Sequence, residues 1–194
     1  MDYAPSNRSS ASTKIVVAGG FGVGKTTFVG AVSEIDPLRT EALVTQESEG
    51  QDDISKVQSK STTTVAMDFG RITLAENLVL YLFGTPGQRR FWFMWDDLVT
   101  GAIGAVVLVD TRRLDDSFAA VDYFEAKGLP FIVALNQFDD AQHFGTEEIR
   151  EALAIPAHIP VITVDARDRE SAKRALVRIT EFALTQLSDM ATSV

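Results

Sequence analysis

The chain has 194 residues, 45% of them hydrophobic, which is enough to bury one sizeable core and predicts a single domain. Its formal net charge of −9 argues against nucleic acid or an anionic membrane surface as a principal partner, because both attract basic proteins. The lack of cysteine excludes disulfides, thiolate metal sites and sulfur-linked lipid anchors.

The first residues of the chain are polar and rich in serine. This composition predicts a disordered arm at residues 1–13 and argues against a secretory signal, because the segment has no apolar centre. No apolar run is long enough to cross a bilayer, so we expect no direct membrane insertion and a cytoplasmic location. The domain is expected to span residues 14–188, with a flexible tail at 189–194.

A phosphate-binding motif follows the first predicted strand. The strand is the apolar run Ile15–Ala18, and the next eight positions, Gly19–Thr26, fit the pattern G-x-x-x-x-G-K-[ST]. Glycines let successive backbone N–H groups surround a phosphate, and a helix that begins at Lys25 adds unpaired donors. Lys25 is expected to reach the β- and γ-phosphates, and Thr26 to enter the shell of Mg²⁺. The residues expected to contact the nucleotide here are Gly19, Gly22, Val23, Gly24, Lys25, Thr26 and Thr27.

The segment 36–61 is polar, acidic in its middle and longer than an ordinary connection. Its position after the phosphate-binding motif favours a loop that becomes ordered around bound nucleotide. The alternative is an insertion without a role.

Apolar runs alternate with helical patterns along the chain. The six predicted strands are Ile15–Ala18, Thr62–Phe69, Leu78–Phe83, Ala105–Val109, Phe131–Leu135 and Ile159–Val164. The last four are almost continuously apolar, as in parallel strands covered on both faces. The second strand alternates and pairs with its neighbour after Gly70-Arg71 as a hairpin would. The predicted helices are Lys25–Glu34, Asp116–Lys127 with Gly128 as its stop, Thr146–Ala154 with Thr146 as its cap, and Arg169–Leu187.

These elements predict an α/β fold of the P-loop NTPase type. Its sheet is expected to have six strands, mostly parallel with one antiparallel edge strand, and helices on both faces.

In the order and spacing of its motifs, the chain resembles the Ras-like small GTPases over nearly its whole length after the arm. Thr64-Val65-Ala66-Met67-Asp68-Phe69 is similar to the family's first switch, in which a threonine binds Mg²⁺ and senses the γ-phosphate. The resemblance implies this role for Thr64, with Thr63 as the alternative, and implies a G domain with GTP/GDP and Mg²⁺ as ligands.

The segment Leu82-Phe83-Gly84-Thr85-Pro86-Gly87-Gln88 resembles the second switch, D-x-x-G-Q. The resemblance implies that the amide of Gly87 contacts the γ-phosphate and that Gln88 orients the attacking water, so Gln88 and Lys25 are the expected catalytic residues. Gly84 stands where the family has an aspartate, which removes a carboxylate that helps to hold the Mg²⁺ shell.

The segment Asn136-Gln137-Phe138-Asp139 resembles the base-recognition motif N-K-x-D. The carboxylate of Asp139 can accept from guanine N1–H and the 2-amino group, whereas adenine offers neither donor there, so GTP is expected over ATP. Asn136 and Gln137 are also expected to contact the nucleotide. Asp165-Ala166-Arg167 is similar to the S-A-K turn, which implies that the Ala166 amide reads guanine O6.

The variant motifs most resemble the small GTPases of actinobacterial conservon operons and the bacterial gliding-motility and polarity GTPases. The polarity GTPases carry an arginine finger where this chain has Thr63, so slow hydrolysis is expected unless Arg39, Arg89, Arg90 or a partner supplies the charge. The resemblance implies a roadblock/LC7-type regulator and a sensor histidine kinase as partners, which could recruit the chain to the inner face of the membrane.

Two alternatives to a GTPase switch stay open. The first is a nucleotide-binding scaffold with little or no hydrolysis, which Gly84 and Gln137 favour. The second is an ATP-dependent ATPase or kinase, for which Asp110 is the candidate metal-binding acid at a strand end. The aromatic segment after Gln88 is expected to lie mainly in the core, with partner binding through Trp92 as the alternative.

Overall fold

The computed structural model describes residues 11–36, 38–45 and 62–192, with the backbone alone at 38–45, 62–66, 89–90, 190 and 192. Its strands are β1 (Ala11–Gly19), β2 (Leu38–Thr45), β3 (Thr62–Ala75), β4 (Leu78–Gly84), β5 (Gly104–Val109), β6 (Phe131–Asn136) and β7 (Val161–Val164). Its helices are α1 (Lys25–Val32), α2 (Trp95–Val99), α3 (Asp115–Lys127), α4 (Thr146–Ala152) and α5 (Arg169–Thr192). Two 3₁₀ turns span Arg89–Met94 and Thr111–Arg113.

The described strands form one sheet in the order β2-β3-β4-β1-β5-β6-β7. Five strands, in the order β4-β1-β5-β6-β7, run parallel to one another. Parallel neighbours align the carboxyl ends of these strands along one edge, where the connecting loops form the candidate site.

Helices cover both faces of the sheet. On one face, Ile15 and Val17 of β1 pack in a core with residues of α1 and α5. On the other, Val16 and Ala18 pack in a second core with residues of α2, α3 and α4. Strands buried on both faces have continuous apolar sequences, which explains why they were predicted correctly. The predicted α/β fold, with a mostly parallel sheet and surrounding helices, is confirmed.

The antiparallel side of the sheet differs from the prediction. The predicted strand at Thr62–Phe69 is antiparallel to β4, as expected, but β2 pairs antiparallel with it and forms the edge, so the described sheet has seven strands. β3 also continues through Gly70 and Arg71 to Ala75, and the hairpin turns at 76–77. β2 lies in the segment 36–61, which was predicted to be a loop. Residues 46–61 of that segment lie outside the described residues.

Several element ends also differ. β1 begins at Ala11 and α5 reaches Thr192, so the predicted domain limits at 14 and 188 fall inside elements. The predicted stop of α3 is confirmed, because Gly128 adopts the left-handed conformation with φ 64°. The cap of α4 is Gly145 instead of Thr146, and its amide donates to the Glu148 carboxylate at 2.6 Å. No helix of the described chain is long and apolar enough to span a membrane.

Candidate nucleotide-binding site

The loop between β1 and α1 has the backbone that its glycines predict. Gly19, Gly22 and Gly24 adopt positive φ angles of 135°, 73° and 103°, which side chains disfavour. A Cβ atom at Gly19 would lie 2.4 Å from the Leu108 carbonyl oxygen, and one at Gly24 would lie 2.6 Å from Nδ2 of Asn136. The glycines therefore allow both the turn and its close packing against the ends of β5 and β6.

Lys25 is the first residue of α1, and its side chain packs against this loop; the residue is 7% exposed. Its Nζ donates to the Gly19 carbonyl at 2.9 Å and to the Gly20 carbonyl at 2.6 Å. Burial lowers the pKa of Lys25 to about 8, and the nearby Asp68 carboxylate opposes that shift. The loop thus holds a desolvated ammonium group, which attracts phosphate oxygens more strongly than a solvated one would.

Gly87 of the second switch-like motif packs directly against the phosphate-binding loop. A Cβ atom there would lie 2.8 Å from Lys25 Nζ and 2.8 Å from the backbone N and Cα of Phe21. Only glycine fits this contact. The contact brings the second switch-like motif against the phosphate-binding loop, and Gln88, the next residue after Gly87, is exposed.

Thr26 pairs with a carboxylate that the sequence analysis did not select. Its hydroxyl donates to Oδ2 of Asp68 at 2.7 Å, and Asp68 is 7% exposed. Asp68 lies directly across from Gly84 in the β3–β4 register, and a Cβ atom at Gly84 would lie 3.0 Å from the Asp68 carboxylate. The carboxylate missing at Gly84 is therefore present on the neighbouring strand.

The oxygen atoms of Thr26 and Asp68 are hard donors of the kind that Mg²⁺ prefers, so this pair fits a magnesium ion that keeps several waters. Among the described residues, no group of three His, Cys, Asp or Glu side chains could hold a metal ion by itself. A sequence signal for Asp68 did exist, because an antiparallel pairing of two adjacent strands can place it opposite Gly84. It was missed because the position of the hairpin turn decides that register.

Asn136 joins the phosphate-binding loop to the base-recognition segment. It is 5% exposed, its Nδ2 donates to the Val23 carbonyl at 2.9 Å, and its Oδ1 accepts from the Ala166 amide at 3.0 Å. The structure thus brings together the phosphate-binding loop, the base-recognition segment and the turn at Ala166 at one sheet edge. It also uses the Ala166 amide, which was expected to read guanine O6, in a protein hydrogen bond.

Asp139 lies three positions after Asn136, and its side chain is 84% exposed. Both of its carboxylate oxygens accept hydrogen bonds from Arg167, at 2.9 and 3.0 Å. These hydrogen bonds, and the charge of the guanidinium, hold the pKa of the Asp139 carboxyl below its usual range. Arg167 belongs to the segment Asp165-Ala166-Arg167, in which the sequence predicted a role for the Ala166 amide alone.

Asp110, the candidate metal acid of the ATPase alternative, is bound by an arginine. It is 3% exposed and accepts from the Arg112 backbone and from two nitrogens of the Arg112 guanidinium, at 2.9 to 3.0 Å. Burial raises the pKa of Asp110, but the Arg112 hydrogen bonds outweigh burial and leave it lowered. This carboxylate closes the 3₁₀ turn after β5, which is a structural role.

The aromatic segment after Gln88 packs inward through Trp95. Trp95 is fully buried, its indole contacts Tyr123 and Phe124 of α3, and its Nε1 donates to the Pro86 carbonyl at 3.2 Å. Trp92 is partly buried, with its ring centroid 5.0 Å from that of Trp95. Trp95 therefore ties the second switch-like motif to α3.

The contacts expected for the remaining predicted site residues stay predictions. The backbone places Thr63 and Thr64 on β3, opposite Val44 and Leu43, and Arg39 on β2, opposite Asp68. Arg89 and Arg90 begin the first 3₁₀ turn. Thr27 is exposed in the first turn of α1, and Gln137 is exposed beside Asn136.

The fold and this site define a P-loop nucleotide-binding protein with the fold of a G domain. The chain belongs to the family described as conserved hypothetical ATP binding protein, whose model matches residues 17–186. It is also similar to an uncharacterized protein of Methanocaldococcus jannaschii, with 32% identity over 128 residues that cover 65% of this chain and 70% of that protein.

Among solved structures, the chain is similar to the G domain of the FeoB iron transporter of T. maritima, with a TM-score of 0.61 and 20% identity over 89% of this chain and 99% of that one. The FeoB G domain of Methanococcus jannaschii gives a TM-score of 0.58 and 15% identity, over 89% of this chain and 97% of that one. The T. maritima cytosolic domain in a GDP form gives 0.62 and 19%, over 89% of this chain and 64% of that one. At these identities the likeness shows the fold alone.

Proposed function

We propose that this chain is a guanine-nucleotide-binding molecular switch that hydrolyses GTP slowly. The observation that carries the proposal is the Asn136 bridge, which joins the Val23 carbonyl of the phosphate-binding loop to the Ala166 amide of the base-recognition turn. One buried side chain thereby sets the spacing between a phosphate site and a carboxylate, Asp139, that suits guanine.

The base preference rests on Asp139. Its carboxylate is an acceptor at both oxygens, and guanine presents two donors, N1–H and the 2-amino group, on a single edge. Adenine has an acceptor at N1 and only a C–H at position 2, so it offers neither of these donors and leaves the carboxylate unpaired. The description of the matched family names ATP, and the chemistry of this carboxylate favours guanine instead.

At the phosphate end, six residues of this chain have roles in the proposal. The Lys25 ammonium binds the β- and γ-phosphate oxygens and stabilises the charge that develops on them. The Gly87 backbone lies against Lys25 and offers an amide to the γ-phosphate, and Gln88 orients the attacking water. Thr26 and Asp68 would hold Mg²⁺, with Thr64 joining them in the triphosphate state. When bound, Mg²⁺ would neutralise part of the charge on the phosphates.

Slow turnover is part of the proposal. An arginine at the transferred phosphate contributes about 10³ to 10⁵ in rate, and Thr63 stands where the polarity GTPases carry theirs. A roadblock/LC7-type regulator is the partner that would supply or position the missing group. A sensor histidine kinase is the input, with the chain in the cytoplasm and recruited to the membrane through these partners.

A nucleotide-binding scaffold is the second candidate, and Gly84 is the feature that favours it. The position of Asp68 weakens that argument, because its carboxylate contacts Thr26 from the neighbouring strand at 2.7 Å. The two candidates therefore differ in turnover and not in binding.

The test is titration of the nucleotide-stripped protein with fluorescent GTP, GDP and ATP analogues, with and without Mg²⁺, followed by single-turnover hydrolysis. Guanine preference with cleavage would support the switch, and guanine binding without cleavage would favour the scaffold. A preference for ATP would contradict the role given to Asp139. The matched variants are Gln88→Leu, expected to lose cleavage and keep binding, and Asp139→Ala, expected to lose guanine preference.

A further inference from the structure

Arg167 makes the same contact with Asp139 that the guanine base requires. Its Nη1 donates to Oδ2 of Asp139 at 2.9 Å, and its Nη2 donates to Oδ1 at 3.0 Å. The guanidinium is planar and presents two parallel N–H donors to a planar carboxylate. The N1–H and 2-amino groups of guanine also form a pair of parallel donors in one plane. Both partners therefore address the same two oxygens with the same pattern.

A second carboxylate keeps Arg167 beside the site. Its Nε donates to Oδ1 of Asp165 at 3.0 Å, and its Nη2 donates to Oδ2 of Asp165 at 3.0 Å. The backbone amide of Arg167 also donates to Asp165, at 2.9 Å. Arg167 can thus leave Asp139 and keep a charged partner, so the exchange exposes no unpaired guanidinium.

The strength of the contact suits an exchangeable group. The side chains of Arg167 and Asp139 are 54% and 84% exposed, so water screens their attraction. An exposed pair of this kind is stable enough to be populated and weak enough to open in competition with a ligand. A buried pair would instead exclude the base.

We propose that Arg167 is an internal competitor of guanine for Asp139, and that it slows the association of guanine nucleotides. This inference rests on the proposed function, because it assumes that Asp139 reads guanine. The nucleotide binds only the fraction of molecules in which Arg167 has released Asp139, so the apparent affinity falls by that fraction. For an exposed bidentate pair, the expected reduction is about three- to five-fold.

The experiment compares the wild type with Arg167→Met, which keeps most of the side-chain length and removes the donors. Stopped-flow binding of fluorescent GDP should show an association rate about three- to five-fold faster in the variant. The dissociation rate should stay unchanged, since Arg167 has already left Asp139 in the complex. Arg167→Lys, a point charge that cannot bridge both oxygens, should fall between the two. The matched control is Arg174→Met, an exposed arginine on α5.

Salt separates competition from a structural role. Raising NaCl from about 0.05 to about 0.5 M screens the Arg167–Asp139 pair, so the ratio of the variant's association rate to that of the wild type should approach one. An unchanged association rate in Arg167→Met, or faster dissociation, would overturn the competitor, since faster dissociation would make Arg167 a base contact. If the wild type binds GDP no better than ADP, the proposed function fails together with this inference.

Discussion

Asp68 and Gly84 face each other across two antiparallel strands, and the proposed function gives Asp68 the role that the resemblance to the Ras-like family would give to an aspartate at position 84. Because Gly84 has no side chain, the Asp68 carboxylate fits beside it, and Oδ2 of Asp68 lies 2.7 Å from the Thr26 hydroxyl. A side chain at position 84 would collide with that carboxylate. At the scale of single residues, the altered motif is therefore a relocation of a charge and not its loss.

Removing that charge should weaken magnesium binding. Asp68→Asn keeps the shape of the side chain and its acceptor oxygen, but it loses the negative charge that attracts Mg²⁺. We expect the gain in nucleotide affinity on adding Mg²⁺ to fall by about 10- to 100-fold, with a smaller change in the affinity measured in EDTA, because Asp68 also helps to keep the Lys25 ammonium charged. Equilibrium titration of a fluorescent guanine nucleotide measures both. Asp97→Asn, an exposed aspartate in α2, is the control, and equal effects of the two changes would contradict this role for Asp68.

A side chain at position 84 should be costly while Asp68 is present. In Gly84→Ala the new Cβ atom would lie 3.0 Å from both Cβ and Oδ2 of Asp68, so the Asp68 side chain must move by a few tenths of an ångström. We expect a loss of about 1–3 kcal/mol in the free energy of unfolding, measured with urea. The double variant Asp68→Gly, Gly84→Asp removes the collision and should recover part of that loss. A double variant less stable than Gly84→Ala would argue against the collision.

At the scale of elements, the short segment between β4 and β5 depends on one side chain. Trp95 begins a five-residue helix that could not be stable alone, since isolated helices of that length do not form in water. Its indole is buried against Tyr123 and Phe124 and donates to the carbonyl of Pro86. The segment is therefore folded by tertiary packing.

Trp95→Phe should test that dependence. The change leaves a cavity and removes the donor for Pro86, so we expect a loss of about 1–3 kcal/mol in the free energy of unfolding. Urea denaturation followed by far-ultraviolet circular dichroism measures it. Phe93→Ala in the same segment is the control, because Phe93 is 62% exposed and its loss should change stability by about 0.5 kcal/mol or less. Similar losses for both variants would contradict the account.

The elements that were predicted correctly are those whose signals are local. β1, β5 and β6 have continuous apolar sequences, and Gly128 stops α3 by its own backbone preference. β2 was missed because Leu38-Arg39-Thr40-Glu41 carries no clear alternation and the strand exists by pairing with β3. The same holds at the site, where Lys25 and Asn136 lie in readable motifs, whereas the contacts of Asp68 and Arg167 depend on strand register and loop approach.

At the scale of the whole molecule, the sheet separates two cores that are covered by different helices. The strands belong to both cores, because their side chains alternate between the faces. Such a domain should unfold as one unit, and the loops at one sheet edge join the nucleotide site to that unit.

Nucleotide binding should therefore raise the stability of the entire domain. At a concentration about 100 times its Kd, a guanine nucleotide adds about 2.7 kcal/mol, which should raise Tm by about 5–10 °C for a domain of this size. Differential scanning fluorimetry with GDP and Mg²⁺ measures the shift. ADP at the same concentration should leave Tm close to that of the free protein, and an equal shift with ADP would contradict guanine selectivity.

The facing positions of Asp68 and Gly84 also have an evolutionary consequence. Because only one of the two positions has room for a carboxylate, substitutions at them should covary: a chain with an acid at the end of β4 should have a small or neutral residue at the facing position of β3, and the reverse. A glycine at the position of Gly84 would then indicate a loss of hydrolysis only where the facing position on β3, Asp68 in this chain, also lacks a carboxylate. Inactive members of such a lineage would be recognised by the loss of both.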